Sequence, residues 1–459
     1  MSYLSINPAT EEVLAEYPLL SDAQIEPLVE ECFKAQKELK TLSVRERCDL
    51  LRDISFYLRE HLEDLAVLMT SEMGKPIKQS RAEVEKCAWL CNYFAEKGEE
   101  FLAVKEEEGA LKSNYVRKDP LGIILAVMPW NFPFWQVFRC AVPSILAGNT
   151  VLLKHSSNVG QTALKIEEIF RESSGKSGLL KNLFISHRQI KGVINDKRVK
   201  AVSLTGSVLA GRAVALLAAE ALKPVVLELG GSDPFIVCED ADIKAAAETA
   251  AVARCQNSGQ SCIAAKRFIV HKKVFEDFAL YFVEAVKKLK VGDPLSEDTD
   301  IGPIARKDLR DELVENLKRG ETEGGEVLYK GEVLFHKGYY FAPVILRLKS
   351  VNNILWQEEI FGPIAPLLSY EDDQEALLLA NNTKFGLGAN VWSSSAKRAK
   401  FFSENLEAGL VFINSYVKSD PRLPFGGVKE SGYGRELSVY GLNELVNIKT
   451  VCSELEGIF

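Results

Sequence analysis

The feature that most constrains this fold is a series of short apolar runs, each followed by a stretch with helical periodicity. The runs occupy 122–128, 150–153, 201–204, 224–229 and 235–237. Unbroken apolar strands that alternate with helices are typical of a parallel sheet covered on both faces. Ligands of such sheets bind beyond the carboxyl ends of the strands, so the residues after each run are candidates for chemistry.

Further elements flank this alternating region. Ser43 and Glu46 have the spacing of a capping box, which predicts one long amphipathic helical run as far as Met73. The segment 267–271 begins a second series of strands and helices, and 447–452 predicts a short final strand.

Composition argues against several functions. The 459 residues have a net charge of -8, which disfavours nonspecific binding to nucleic acid or to an anionic membrane. No window holds the roughly 18 uninterrupted apolar residues that a membrane span requires. Nine cysteines without a secretory pattern predict free thiols in a reducing cytoplasm. The five histidines are scattered singly, so we expect no metal site.

The first candidate for chemistry is Cys262, which follows a polar loop and precedes a strand. A thiol nucleophile requires access and a lowered pKa, and a loop at the edge of a sheet can provide both. Taken alone, the same pattern also fits an inert cysteine.

Two other polar side chains follow or interrupt apolar runs. Glu228 interrupts a strand and precedes two glycines, where a carboxylate is costly unless it is paired or functional. Burial would raise its pKa toward that of a general base, although a strand-end Glu that faces solvent is the alternative. The side-chain amide of Asn131 could donate to an oxyanion or could cap a helix.

The sequence lacks the common phosphate-binding patterns. No G-x-G-x-x-G follows a strand, and the segment 206–212 resembles a P-loop without its Lys and Ser/Thr. A nucleoside triphosphatase is therefore disfavoured. Gly206 and Ser207 nevertheless join a strand to a helix, whose N-terminus can bind a phosphate.

In their order along the chain these segments resemble the aldehyde dehydrogenase superfamily, from Ile6 to Val451. The most specific segments read PWNFP at 129–133, LELGG at 227–231, GQSC at 259–262, EIFGP at 359–363 and PFGG at 424–427. The details around 154–158 and 418–427 are similar to bacterial succinate-semialdehyde dehydrogenases.

The resemblance implies an α/β fold in three parts. A Rossmann-type dinucleotide-binding domain would comprise 1–105 and 121–228, and an α/β catalytic domain would comprise 229–424. A small β oligomerisation element, 106–120 and 425–459, would pair across a homodimer or a dimer of dimers. A free final strand would need such a partner.

The resemblance also implies oxidation of succinate semialdehyde to succinate with NAD(P). The thiolate of Cys262 would attack the aldehyde, Asn131 and the Cys262 backbone N–H would hold the oxyanion, and water activated by Glu228 would hydrolyse the resulting thioester. The implied cofactor-binding residues are Trp130, Lys154, Ser157, Gly206, Ser207, Leu229, Glu359 and Phe361. The implied substrate-binding residues are Trp135, Arg139, Ser261, Ser419 and Phe425.

Two positions refine the expected specificity. Ser157 stands where many NAD-preferring relatives carry a Glu, and His155 is close by as a candidate cation, so we expect NADP to be preferred and NAD to be accepted. Arg139 would lie on one helical stripe with Asn131 and would bind the substrate carboxylate. Gln256 stands where some semialdehyde dehydrogenases have a second Arg.

Two other functions remain open at this point. In a CoA-acylating enzyme CoA would resolve the thioester, and Glu228 argues against this because no hydrolytic base would be needed. The second is a non-catalytic binding protein on the same fold. The presence of all the catalytic residue types argues against it. The preference among short semialdehydes is not fixed by these residues.

Overall fold

Residues 2–455 are described by the computed structural model, and most of their strands lie in two large sheets. The strands are β1 (Ser2–Ile6), β2 (Val13–Pro18), β3 (Lys105–Glu106), β4 (Ser113–Pro120), β5 (Ile123–Val127), β6 (Thr150–Lys154), β7 (Leu180–Asn182), β8 (Val199–Thr205), β9 (Val225–Glu228), β10 (Asp233–Val237), β11 (Ala265–His271), β12 (Glu326–Lys330), β13 (Val344–Arg347), β14 (Ile364–Tyr370), β15 (Phe385–Gly386), β16 (Gly388–Trp392), β17 (Leu410–Ile413), β18 (Val428–Lys429), β19 (Gly432–Tyr433) and β20 (Val446–Ser453). The helices are α1 (Asp22–Leu39), α2 (Val44–Glu60), α3 (Leu62–Met73), α4 (Ile77–Leu102), α5 (Trp135–Ala147), α6 (Gly160–Ser174), α7 (Ile190–Asn195), α8 (Val208–Glu220), α9 (Ile243–Cys255), α10 (Phe275–Lys287), α11 (Lys307–Thr322), α12 (Ile354–Gln357), α13 (Asp373–Asn381), α14 (Ala396–Asn405) and α15 (Ser438–Asn443).

The predicted apolar runs form the centres of the two sheets. The first sheet has the order β19-β9-β8-β5-β6-β7, and its strands from β9 to β7 are parallel. The second has the order β12-β13-β14-β11-β10-β16-β17 and is parallel from β13 to β17. Every residue of β6 and β10 is buried, as expected for strands covered on both faces. The α/β prediction is confirmed.

The chain's last strand pairs within its own chain. All eight residues of β20 pair antiparallel with β4 in a small sheet of order β20-β4-β3. This corrects the expectation of a free final strand, because one edge of β20 is already satisfied. The predicted domain boundaries stay a prediction, and β19, which falls within 425–459, pairs with β9 of the first sheet.

The N-terminal helices differ from expectation in one respect. The capping box is present, with the Ser43 amide donating to Glu46 Oε2 over 2.7 Å. The expected single run to Met73 is instead two helices, because His61 (φ −106°, ψ 20°) leaves the helical region between α2 and α3.

In the part of the chain from 2 to 455, no helix combines the length and the apolar character needed to cross a membrane.

A buried carboxylate positions the start of α5. Glu83, on α4, accepts hydrogen bonds from the backbone amides of Phe134 and Trp135, both at 3.0 Å, and its other oxygen pairs with Lys75. Glu83 therefore satisfies the first amides of α5, whose N-cap is Phe134. Asn131 precedes the helix, which corrects the expectation that it lies on one helical stripe with Arg139. The side chain of Asn131 is left available for a different role.

Replacing Glu83 with Ala should lower the free energy of unfolding by ~3–5 kcal/mol, because the buried Lys75 ammonium would lose its counter-ion. Urea denaturation followed by circular dichroism measures the change. The control is Glu85→Ala on the same helix, where an exposed ion pair with Arg59 should contribute less than ~1 kcal/mol. Equal losses in the two variants would contradict the proposed role of Glu83.

Candidate active site

A tight turn delivers Cys262 to the amino end of β11. Asn257 and Ser258 adopt left-handed backbone angles, with φ of 54° and 55°, and Gly259 follows at φ 75°. A Cβ atom on Gly259 would lie 2.5 Å from the carbonyl carbon of Gly362, so only glycine fits there. The turn ends with Cys262 partly exposed, as a nucleophile requires.

The turn is held by the buried guanidinium of Arg254 at the end of α9. It donates to the backbone carbonyls of Gly259 at 3.0 Å, Ala265 at 2.9 Å and Ile360 at 3.1 Å, and also to that of Gly362. Burial lowers the pKa of Arg254 to about 10, so the group stays charged near neutral pH. One side chain thus fixes the nucleophile loop against the loop that carries Glu359.

Asn131 belongs to the same hydrogen-bonded unit. Its Nδ2 donates to the carbonyl of Gln260 at 3.1 Å, and its own carbonyl accepts from Asn257 Nδ2 at 2.7 Å. The side chain is buried, and it is the carboxyl end of β5 that brings it to the nucleophile loop. The side chain of Asn131 is thus held at the nucleophile loop two residues before Cys262, and its role at the oxyanion stays a prediction.

The surroundings of Cys262 favour the neutral thiol over the thiolate. Burial raises the pKa of Cys262 to about 12, and the positive charges of Lys266 and Arg139 offset only part of this effect. This corrects the expectation that the loop itself lowers the pKa. Lys266 is a residue that the sequence did not single out, and its Nζ donates to the carbonyl of Cys262 at 2.7 Å. Attack by this thiol requires a proton acceptor.

Glu228 is a buried carboxylate at the end of β9, not a side chain that faces solvent. Within residues 2–455 neither of its carboxylate oxygens has a hydrogen-bond partner. Burial raises the pKa of Glu228 well above its usual range, and the nearby Glu436 raises it further, while Arg139 and Arg435 oppose the shift. A carboxyl group whose pKa is raised in this way can serve as a general base.

Cys262 opens into a cavity of about 490 Å³, a volume typical of small-molecule sites. Its lining includes the predicted substrate-binding residues Trp135, Arg139, Ser261, Ser419 and Phe425. The Arg139 side chain nevertheless already contacts three other side chains of the protein. Its Nε lies 2.7 Å from Glu436 Oε2, its Nη2 donates to Gln136 and its Cζ lies 4.5 Å from the ring centre of Phe425.

The same cavity contains a cation that sequence reasoning missed. Lys86 on α4 donates from Nζ to Ser419 Oγ at 2.7 Å and lies 4.5 Å from the ring centre of Trp135. No periodicity or motif in the sequence distinguishes Lys86 from the other lysines of its helix. Only the packing of α4 against α5 and the C-terminal loop brings these three side chains together.

The carboxyl ends of β6 and β8 carry candidate cofactor residues. Lys154 ends β6, and within the described residues its Nζ has no hydrogen bond or ion pair. Burial lowers the pKa of Lys154 to about 8. Ser157, three residues after Lys154 in the sequence, is exposed to solvent. The exposed His187 lies close enough for the Lys154 charge to lower its pKa, and sequence reasoning missed it.

His155 cannot serve as the expected cation. Its ring is fully buried, and its two nitrogens are engaged by the Pro133 carbonyl at 3.0 Å and the Ser156 amide at 2.8 Å. Burial lowers the pKa of His155 to about 4, so the ring is neutral at physiological pH. The residue is a structural part of the turn after β6.

The turn after β8 presents a helix N-terminus. Ser207 caps α8, since its Oγ accepts from the Ala210 amide at 3.3 Å, and the residue is exposed. The amide of Gly206 donates to the carbonyl of Glu228 at 3.0 Å, which ties this turn to the end of β9. Leu229, which follows β9, packs against the face of α8 where Gly211 leaves room for it.

The remaining candidate cofactor residues are Trp130, Glu359 and Phe361. Trp130 and Phe361 meet edge to face, with ring centres 5.9 Å apart. Glu359 accepts from the Gly231 amide at 2.9 Å and lies 3.5 Å from Lys266 Nζ. A Cβ atom at the same residue, Gly231, would collide with the backbone oxygen of Cys262, so only glycine fits there.

Comparison with known proteins supports the same interpretation. Residues 2–451 match the family described as "Aldehyde dehydrogenase family". The chain is 44% identical to the Escherichia coli succinate semialdehyde dehydrogenase Sad, named as NAD(P)+-dependent, over 98% of this chain and 97% of that protein. It is 41% identical to succinate-semialdehyde dehydrogenase 1 of Mycobacterium tuberculosis, named for NADP(+), over 98% and 99% of the two chains.

A solved structure agrees in fold. The succinic semialdehyde dehydrogenase of Streptococcus pyogenes, solved in complex with NADP+, has a TM-score of 0.95 and 36% identity, and the match covers 98% of this chain and 99% of that one. The motifs, the two parallel sheets and the arrangement around Cys262 lead to the same conclusion. The chain belongs to the aldehyde dehydrogenase family.

Proposed function

We propose that the protein oxidises succinate semialdehyde to succinate, with NADP as the preferred hydride acceptor and NAD also accepted. The observation that carries this proposal is that Cys262 opens into a cavity whose lining includes cationic and hydroxyl side chains. Such groups suit an aldehyde that ends in a carboxylate. The names of the relatives from Escherichia coli and Mycobacterium tuberculosis support the same substrate.

The reaction begins at the thiol. The Cys262 thiol loses its proton to solvent water, and the sulfur attacks the aldehyde carbon to give a thiohemiacetal. Its oxyanion accepts hydrogen bonds from the Cys262 backbone amide and from Asn131 Nδ2, which has a second N–H besides the one bound to Gln260.

When bound, NADP would supply the nicotinamide that accepts a hydride from the thiohemiacetal carbon. Loss of this hydride would leave a thioester on Cys262. The ionised Glu228 takes a proton from water, whose oxygen attacks the thioester carbon and releases succinate and the Cys262 thiolate. We propose Trp135, Arg139, Ser261, Ser419 and Phe425 as the residues that contact the substrate.

The residues on the other side of Cys262 fit a dinucleotide. Lys154 offers a buried ammonium without an acidic partner among residues 2–455, and α8 offers an exposed N-terminus at Gly206 and Ser207 for a phosphate. Ser157 is exposed and neutral, so it does not repel a 2′-phosphate. Trp130, Leu229, Glu359 and Phe361 complete the proposed cofactor-binding set.

We further propose that the protein is a homodimer or a dimer of dimers. In the described part of the chain β20 is the edge of its sheet, and it pairs with a strand on one side only. Unpaired strand edges favour association with a second strand. A second copy of this chain would satisfy that edge.

The activity is tested with a panel of aldehydes, each with NADP and with NAD, and with and without CoA. Succinate semialdehyde with NADP should give the highest kcat/KM, and CoA should not be required. Cys262→Ala should reduce turnover by at least ~10³-fold, whereas the exposed Cys452→Ala should retain it. A folded Cys262→Ala protein with normal turnover would exclude the mechanism, and a strict CoA requirement would indicate the acylating reaction.

The role of Glu228 is tested by Glu228→Gln. Acylation should persist as a burst of NADPH, while steady-state turnover should fall by ~10²–10⁴-fold because the base is missing. Since burial raises the pKa of Glu228, its basic form increases as the pH rises, so the wild-type hydrolysis rate should rise with pH and the variant should lose this rise. Exposed Glu430→Gln is the control. Loss of the burst together with turnover would place Glu228 in the first step instead.

Cofactor preference is tested by Ser157→Glu. A carboxylate at this position would repel a 2′-phosphate, so the ratio of kcat/KM with NADP to that with NAD should fall by at least ~10-fold. The two efficiencies are measured with succinate semialdehyde at saturation. An unchanged ratio would show that Ser157 does not face the 2′ position.

A further inference from the structure

We propose that Lys266 is a positioning residue for the nucleophile, and that its ammonium orients the backbone amide of Cys262 and stabilises the Cys262 thiolate. The proposal rests on the proposed role of Cys262 as the nucleophile. It assigns a function to a buried cation near the start of β11 that the reaction described above does not use.

The loop that carries the thiol folds around the Lys266 ammonium. Lys266 Nζ donates to the backbone carbonyls of Ser261 at 2.8 Å, Cys262 at 2.7 Å and Ala264 at 3.4 Å. Three acceptors match the three protons of an ammonium, whereas a neutral amine has two protons and a lone pair. The contacts therefore favour the charged form of Lys266, in a place that is closed to solvent.

These bonds fix the direction of the Cys262 backbone amide. The Ser261 carbonyl and the Cys262 N–H belong to one peptide group, which is planar and trans, so the two point in opposite directions. Because the carbonyl points to Lys266 Nζ, the N–H points away from it. The Cys262 carbonyl is held by the same ammonium, so both peptide groups that flank the Cys262 Cα atom are fixed. Lys266 thereby orients the proposed oxyanion donor.

The charge of Lys266 requires an explanation beyond these bonds. A neutral donor would satisfy the same carbonyls at a lower desolvation cost than a buried ammonium. Burial lowers the pKa of Lys266, while the carboxylates of Glu359, 3.5 Å away, and of Asp233 oppose this shift, and Arg254 adds to it. The fold thus keeps two acidic groups near Lys266 that favour its charged form.

The nearby thiol is the group that this charge affects. Four charged groups act on Cys262: Lys266 and Arg139 favour the thiolate, whereas Glu359 and Asp233 oppose it. Burial raises the pKa of Cys262 to about 12, and Lys266 opposes burial more than Arg139 does. Without the charge of Lys266, a smaller fraction of Cys262 would be ionised.

The rate at which iodoacetamide alkylates Cys262 tests the proposal, because the thiolate is the reacting form. Lys266→Gln keeps N–H donors for the carbonyls and removes the charge. At about pH 8 its Cys262 should react about 3- to 10-fold more slowly, since a pKa raised by about one unit lowers the thiolate fraction and partly raises the nucleophilicity of the rest. Mass spectrometry of the peptides follows the reaction, with the exposed Cys452 as the internal reference.

Two further variants are the controls. Lys272→Gln, just after the other end of β11, removes an exposed ammonium that pairs with Glu371 at 2.9 Å, and it should leave the rate unchanged. Glu359→Gln removes a negative charge that opposes the thiolate, so it should speed alkylation of Cys262.

The direction of each change separates charge from loop geometry, because a loosened loop would expose Cys262 and speed its alkylation. Unchanged or faster alkylation in Lys266→Gln would overturn the proposal, and so would slower alkylation in both Lys266→Gln and Glu359→Gln. Slower alkylation in Lys266→Gln together with faster alkylation in Glu359→Gln would support it. Thermal unfolding reports whether each variant is folded.

A second measurement uses the wild-type protein and does not depend on the folding of a variant. Neutron diffraction from its crystals should show three deuterons on Lys266 Nζ, directed at the carbonyls of Ser261, Cys262 and Ala264. A neutral amine with two deuterons would overturn the proposal.

The alkylation assay uses neither aldehyde nor cofactor, so its failure is distinct from failure of the proposed function. Normal turnover in Cys262→Ala would overturn the nucleophile itself. In Lys266→Gln the burst of NADPH should be slowed by a similar factor with succinate semialdehyde and with butanal, since both aldehydes would use the same thiol and the same oxyanion donor. A slower burst with only one of the two aldehydes would overturn the role of Lys266.

Discussion

The active site depends on one buried guanidinium. Arg254 donates to carbonyls on both sides of the nucleophile, at Gly259 and Ala265, and to carbonyls of the loop at 360–362. Bonds of a charged donor to carbonyls that would otherwise be buried unpaired are among the strongest local constraints in a protein. They allow the strained left-handed turn before Cys262 to persist, and they fix the thiol between the cavity and the candidate cofactor residues.

The electrostatics of the site follow from burial. Desolvation raises the pKa of both groups that we propose for chemistry, Cys262 and Glu228. The cations nearby are of two kinds. Arg139 and Lys266 pair with Glu436 and Glu359, while Lys86 has no acidic partner among residues 2–455. An anionic substrate would meet a site whose protein charges are fixed before it enters.

Much of the fold could be predicted because its signals are local. The apolar runs at β5, β8 and β9 report burial on both faces directly, and the residues after them, among them Asn131 and Gly206, were found by position alone. Cys262 and Glu228 were recognisable as polar residues in unusual places. The length of the helical run that ends at Met73 was predicted wrongly, because a single change of backbone angle at His61 leaves no mark in the pattern.

By itself the sequence determined that the sheets are parallel and that the candidate residues follow the strands. It also determined the family. Tertiary structure decided which side chains carry a charge and which of the charged ones have a partner of opposite charge. His155 is neutral because the fold buries it against Pro133, and Arg139 is engaged because Glu436 lies beside it. Lys86 is exceptional only because α5 and the C-terminal loop pack over it. Burial and charge pairing depend on partners distant in sequence, so no local pattern can encode them.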